Sequence, residues 1–109
     1  MIQTFNNYQV LALRTASDLT KEDLFFNAIL GLNGEAGELA DAVKKYLNQG
    51  HQLDKEAILK EAGDMMWYIA ILCESLGVKM DQVATMNIEK LKKRYPQGFD
   101  SSLSIGRVD

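Results

Sequence analysis

Residues 35–40 read EAGELA, and a near-repeat of that stretch, EAGDMM, stands at residues 61–66. Each copy carries two carboxylates three residues apart, with Ala-Gly between them. At about 100° per residue, such a pair lies on one face of a helix. If the two copies sit on successive antiparallel helices, their four acids converge on one point. The small residues at Ala36, Gly37, Ala62 and Gly63 suggest that the backbones approach closely there, since Gly within a helix costs about 0.5–1 kcal/mol relative to Ala.

Apolar residues at helical spacing extend outward from both copies and predict an all-α chain of four helices. Thr, Asp and Gly occur where helices start and stop. No strand-like alternation runs for more than a few residues. The expected helices lie within residues 5–16, from an N-cap at Thr20 to Asn48, from a cap at Asp54 to Gly77, and from Asp81 to the residue before Pro96. Residues 97–109 are polar and are expected to form an irregular tail or arm.

Composition places the chain among small globular proteins and leaves few other classes. Its 109 residues, 47% apolar and 25% charged, are expected to form one domain, residues 1–109. A single cysteine, Cys73, excludes disulfides within the chain and a cysteine-based zinc site. The net charge of −3 argues against a nucleic-acid polymer as partner. With no signal-like segment and no apolar run near the ~20 residues of a membrane helix, a cytoplasmic protein without membrane contact is expected.

The third expected helix is apolar on every side over nine residues, Met65 to Cys73. A helix of that kind must be covered all round. Trp67 and Ile71 project opposite the main apolar stripe, so a second subunit is expected to cover them. The alternative is that the short first helix covers them within the monomer.

Four converging carboxylates repel one another unless protons or cations intervene. All-oxygen ligation suits Mg²⁺ or Mn²⁺, and a metal held in this way suggests a polyphosphate substrate. Asn87, Lys90 and Arg94 share a face of the fourth helix and are candidates to hold its phosphates. The alternative readings are solvated acids and an ordinary basic face near a helix C-terminus.

The chain resembles the MazG-like nucleotide pyrophosphohydrolases, which include dimeric dUTPases and dCTP pyrophosphatases. Their hallmark is ExxE, a spacer, then ExxD, here Glu35-x-x-Glu38, twenty-two residues, and Glu61-x-x-Asp64. The similarity covers nearly the whole chain. It includes Tyr8-Gln9, Arg14-Thr15-Ala16, Gly31-Leu32-x-Gly34-Glu35-Ala36-Gly37-Glu38, Lys44-Lys45, Trp67-Tyr68, Asn87-x-x-Lys90-Leu91-x-x-Arg94-Tyr95-Pro96-x-Gly98-Phe99 and Ser104-x-x-Arg107.

The resemblance implies a four-helix MazG-like bundle completed by oligomerisation, as a homodimer or homotetramer with sites that involve more than one subunit. It implies hydrolysis of a (d)NTP between the α- and β-phosphates and a role in nucleotide-pool sanitation. By analogy, Mg²⁺ is bound by Glu35, Glu38, Glu61 and Asp64. Glu35 and Glu38 are the candidates for the catalytic base. Substrate is held by Lys45, Tyr68, Asn87, Lys90 and Arg94.

Two rival functions are weighed against this one. A di-iron or ferritin-like site uses Glu-x-x-His motifs, and the single His51 lies in a loop. A non-catalytic nucleotide-binding or helical interaction module would share the fold but release no pyrophosphate. Phe5 and Tyr8 either stack on a base or belong to the core. His51 reads as a solvated loop residue, and the sequence leaves base and sugar preference open.

Overall fold

The computed structural model describes residues 1–16 and 18–107, and these residues contain helices and no strand. The helices are α1 (Phe5–Ala12), which continues into a 3₁₀ turn (Leu13–Thr15), α2 (Lys21–Asn48), α3 (Lys55–Ser75), α4 (Met80–Arg94) and α5 (Ser101–Ile105). The all-α prediction is therefore confirmed. None of the described helices combines the length and hydropathy that crossing a bilayer requires.

Both long helices begin where the sequence predicts, and α2 also ends at the predicted Asn48, whereas α3 ends at Ser75, two residues before the expected Gly77. The Thr20 hydroxyl accepts a hydrogen bond from the N–H of Asp23 at 3.1 Å, and the Asp54 carboxylate accepts one from Ala57 at 3.2 Å. These bonds satisfy backbone donors that a helix N-terminus otherwise leaves unpaired. Gly50 and Gly77 follow the C-terminal ends with φ of +74° and +70°, a conformation that glycine adopts at little cost.

Helices α2 and α3 form an antiparallel pair joined by a short loop, and this pair carries both carboxylate motifs. Helix α1 lies against α3 and α4. Gln9 of α1 is buried, and its side chain donates to the Val78 carbonyl at 3.0 Å and accepts from the Met80 N–H at 2.7 Å. The Asn6 amide oxygen accepts from the Asp81 N–H at 2.9 Å. Side chains of α1 therefore cap α4.

This capping explains why α4 begins at Met80 rather than at the predicted Asp81. Its own N-cap residue, Lys79, makes no side-chain capping bond. The helix starts where α1 supplies acceptors for its first N–H groups, which is a tertiary effect that no local sequence signal carries.

The prediction that a second subunit covers Trp67 and Ile71 is wrong for this part of α3. Ile71 is fully buried within the protomer, in a cluster with Ala16, Leu24 and Ala28. Trp67 packs against that cluster and against a second one formed by Ala12, Ala70, Cys73 and Met80. Its indole N–H lies 3.1 Å from the Ala12 carbonyl and 2.8 Å from the Thr15 hydroxyl, both acceptors. The first helix and its 3₁₀ turn therefore cover this face, which is the alternative reading.

The expected close approach at the motif glycines is also wrong within the protomer. A Cβ at Gly37 or Gly63 would meet no described heavy atom within 4 Å outside its own stretch of helix. The tight contact lies one turn earlier, where a Cβ on Gly31 would come within 2.2 Å of the Tyr68 ring. Glycine is thus needed at Gly31 so that the Tyr68 ring can cross over the α2 backbone.

The tail is more ordered than its composition predicts. Residues 101–105 form a short helix whose N-cap, Asp100, accepts hydrogen bonds from the Ser102 backbone N–H at 2.9 Å and from its hydroxyl at 2.7 Å. The expectation of an irregular segment over residues 97–109 is therefore wrong at this helix. The last two residues of that expectation, 108 and 109, lie outside the described part of the chain.

Candidate metal and nucleotide site

Three of the four motif carboxylates meet between α2 and α3. Glu35, Glu38 and Glu61 each offer an oxygen, and these oxygens all lie within 4.8 Å of one another. The i,i+3 spacing sets Glu35 and Glu38 on one face of α2, and the antiparallel packing of α3 brings Glu61 opposite them. We call these three residues the carboxylate cluster.

Asp64 lies beside the cluster rather than inside it. It lines a small cavity of about 210 Å³ together with Glu35, Trp67 and Tyr68. Tyr68 thus lines the same cavity as Asp64, and its role in binding substrate stays a prediction. Trp67 is a lining residue that the sequence reasoning missed, although its i+3 spacing from Asp64 was a signal for it.

Glu35 and Glu61 present an electrostatic problem that the protein by itself does not solve. One oxygen of each, Oε2, is buried and has no hydrogen-bond partner among the described residues. The pKa of Glu35 is raised to about 7, first by a hydrogen bond to Glu61 that requires a shared proton. Partial burial and the charges of Glu38, Glu61 and Asp64 raise this pKa further. The cluster therefore calls for a proton or a cation between its oxygens.

A divalent cation fits the donor set. The donors are carboxylate oxygens, which hard ions such as Mg²⁺ and Mn²⁺ prefer. Two of these oxygens are buried without a partner, and unpaired buried acceptors are costly unless something charged or protic reaches them.

On the loop side of the cluster, a second cavity of about 210 Å³ opens between the end of α2 and the start of α3. We call it the loop cleft. Glu38, Asp41, Lys45, His51 and Asp54 are among its lining residues. Lys45 Nζ lies 2.9 Å from Asp41 Oδ2. The predicted Lys45 thus lines the same cavity as the cluster residue Glu38, and so does His51, for which no sequence motif is a signal.

The predicted phosphate-binding residues of α4 do not reach this region within one protomer. Helix α4 packs mainly against α1 and α3. The two cavities that border the cluster are lined by other residues and not by Asn87, Lys90 or Arg94. Their role in binding substrate stays a prediction.

The two aromatic residues of α1 line a third, larger cavity. It has a volume of about 670 Å³ and lies between α1, Met66 and Asp81. Tyr8 also packs against the core, whereas Phe5 is about half exposed. The interpretation as a core residue therefore holds for Tyr8 and not for Phe5.

The protein is thus an all-α chain whose antiparallel helical pair carries an ExxE motif and an ExxD motif. The family described as MazG nucleotide pyrophosphohydrolase domain matches residues 26–99, which hold the whole cluster. The chain belongs to the MazG nucleotide pyrophosphohydrolase family.

Two relatives support this assignment. Gene 37 protein of Mycobacterium phage L5 is 35% identical over 100 residues, which cover 84% of this chain and 88% of the relative. Uncharacterized protein YvdC of Bacillus subtilis strain 168 is 36% identical over 70 residues, which cover 56% of this chain and 66% of that protein. No solved structure gives a significant match to this chain.

Proposed function

We propose that this protein is a Mg²⁺-dependent nucleoside triphosphate pyrophosphohydrolase that converts a (d)NTP into (d)NMP and pyrophosphate. The observation that carries the proposal is the carboxylate cluster, with its two buried and unpartnered oxygens, in a chain of the MazG family. A role in sanitising the cytoplasmic nucleotide pool would follow from this reaction.

In this proposal Glu35, Glu61, Glu38 and Asp64 hold the metal, with Mn²⁺ as a substitute. Glu35 and Glu61 face each other and supply the buried oxygens, whereas Glu38 is exposed and Asp64 stands at the rim. A bound Mg²⁺ would offset phosphate charge and acidify a coordinated water.

Glu35 and Glu38 are the candidates for the catalytic base, and the geometry favours Glu38. Its carboxylate is exposed and lines the loop cleft, so water can reach it, whereas Glu35 is engaged with Glu61. Glu38 would take a proton from the water that attacks the α-phosphorus. The bond from that phosphorus to the bridging oxygen then breaks, and pyrophosphate leaves with the electron pair.

The cavity lined by Trp67 and Tyr68 borders the cluster at Glu35, and the loop cleft borders it at Glu38. Tyr68 would contact the nucleoside end and Lys45 the phosphates. In addition, Asn87, Lys90 and Arg94 would reach the phosphates of a neighbouring protomer's site.

A second copy is part of the proposal because the protomer is extended and its α2 is uncovered. The radius of gyration is 17.0 Å, against about 13 Å for a compact chain of this length. The side of α2 that faces away from α3 exposes Phe26, Ile29, Leu30 and Leu47, with Leu30 72% accessible. An apolar stripe of this kind marks an interaction surface. The face expected to bind the partner thus moves from Trp67 on α3 to this stripe.

A nucleotide panel tests the reaction. The purified protein is incubated with each (d)NTP in Mg²⁺ or in EDTA, and products are separated by chromatography. We expect monophosphate and pyrophosphate with metal only, and the panel reveals the preferred base. Diphosphate plus phosphate would contradict the proposed bond. Nucleotide binding without turnover would instead indicate the non-catalytic module.

Two variants test the site, and a third variant serves as the control. Glu38→Gln and Asp64→Asn remove charges at the cluster without touching the core, so turnover should be lost while helicity by circular dichroism is kept. Glu56→Gln removes an exposed carboxylate of α3 that pairs only at the surface with Lys60, at 3.6 Å, and should keep full activity. Full activity in Glu38→Gln or in Asp64→Asn would refute the site.

A further inference from the structure

The loop cleft adjoins the carboxylate cluster and has a chemical character of its own. Glu38 belongs to the cluster and also lines the cleft, so the two form one continuous groove between α2 and α3. At the other end of that groove the cavity lined by Glu35 and Asp64 is walled by Trp67 and Tyr68. The groove is therefore asymmetric, with aromatic side chains at one end and the nitrogen donors of Lys45 and His51 at the other.

Lys45 and His51 both line the cleft. The pKa of Asp41 is lowered by a hydrogen bond from Lys45 and by that residue's charge, and further by the charges of Lys44 and His51. The backbone fixes His51 in place, because Gly50 turns the chain at φ +74° and the His51 N–H donates to the Lys45 carbonyl at 3.3 Å. Lys45 and His51 thus face the same carboxylate.

The carboxylates of the cleft are already engaged, so they do not forbid an anion. Asp41 is paired with Lys45, whose ammonium has three donors and keeps capacity for a second acceptor. Asp54 accepts the N–H of Ala57 as the N-cap of α3. Glu38 belongs to the proposed metal site, where a cation would offset its charge.

The spacing suits a polyphosphate chain. Lys45 follows Glu38 by seven residues, which is two helical turns on the same face and about 10.5 Å along the axis. A phosphate chain that starts at the cluster and follows this face would run toward Lys45 and His51. A nucleoside on the other side of the α-phosphate runs toward Trp67 and Tyr68.

We propose that the terminal phosphate of the substrate binds in the loop cleft against Lys45 and His51, and that His51 makes the enzyme prefer triphosphates to diphosphates. This inference rests on the proposed function. It assigns His51 a role in specificity, in place of the solvated loop residue that the sequence indicates. In this arrangement a diphosphate with its α-phosphate at the cluster lacks the terminal phosphate that would meet His51.

Kinetics with one dNTP and the matching dNDP test the proposal. In His51→Ala the KM for the triphosphate should rise about tenfold, the effect of losing one hydrogen bond to a charged group. The KM for the diphosphate should stay within twofold of the wild-type value. His51→Lys restores a cation and should recover most of the triphosphate affinity. Lys60→Ala, which removes a cation of α3 outside the cleft, should change neither KM.

A binding measurement separates this inference from the proposed reaction. Inorganic tripolyphosphate and a dNMP are titrated calorimetrically into wild type and His51→Ala with Mg²⁺ present. The tripolyphosphate Kd should rise about tenfold in the variant and the dNMP Kd should not, because the single phosphate of a dNMP is the α-phosphate at the cluster. Equal losses for tripolyphosphate and dNMP, or no loss for either, would overturn the inference even if the enzyme is fully active. If wild type hydrolyses no nucleotide yet shows this contrast, the proposed reaction fails and the cleft stands.

Discussion

Gly31→Ala is expected to destabilise the protein, although alanine normally strengthens a helix. A Cβ at Gly31 would lie 2.2 Å from Tyr68 Cε1 and 2.3 Å from Cζ, about 1.2 Å short of the 3.4 Å at which ordinary contact begins. The Tyr68 ring must move, or the two helices must separate beside the carboxylate cluster. Overpacking of this kind costs about 1–3 kcal/mol, which exceeds the helix gain of about 1 kcal/mol.

The matched control is Gly34→Ala, one turn further along the same helix. A Cβ there meets no described atom within 4 Å, so the substitution should add about 0.5–1 kcal/mol to the free energy of unfolding. Gly31→Ala should instead lower it, by up to about 2 kcal/mol, which is the overpacking cost less the helix gain. The two variants should therefore shift stability in opposite directions. For a domain near this size, 1 kcal/mol corresponds to a Tm shift of about 4–8 °C.

The assay is urea denaturation followed by circular dichroism, with protein concentration held constant because association shifts apparent stability. A double-mutant cycle isolates the contact. In a Tyr68→Ala background, Gly31→Ala should become stabilising by about 1 kcal/mol, since the ring is gone. If Gly31→Ala stabilises the wild type as much as Gly34→Ala does, or if its penalty persists without the ring, the proposed contact is refuted.

Three further predictions concern the core and the cluster. The pKa of Glu35 rises from 4.5 to about 7 on folding, so the folded state binds more protons between these pH values. The metal-free protein should therefore lose stability as the pH rises from 4.5 to about 7. In EDTA, Glu35→Gln should flatten this dependence of stability on pH. Trp67→Ala should cost about 3 kcal/mol in urea denaturation through lost packing, whereas an unchanged midpoint would argue against the packing. Gln9→Ala should cost about 2 kcal/mol because Val78 and Met80 lose their partners, and equal stability in Gln9→Ala would contradict that pairing.

The sequence by itself determined the helices and the meeting of the acids. Thr20, Asp54 and Gly50 act through hydrogen bonds and backbone angles within a few residues, so their signals are legible locally. The carboxylates meet because i,i+3 spacing fixes the face of each pair and a short loop makes the two helices antiparallel neighbours. Both steps need only the helical period and the chain order.

The tertiary structure decided which partner each apolar or small residue meets. The apolar character of Trp67 and Ile71 is compatible with burial against α1 or against another chain. Only the path of α1 shows that they are buried within the protomer. Periodicity likewise could not tell that Gly31, rather than the motif glycines, faces a ring. His51 enters the cleft because Gly50 turns the loop back toward Lys45. Periodicity gives the direction of a side chain from its own helix axis, whereas its contacts depend on how several axes are placed in space.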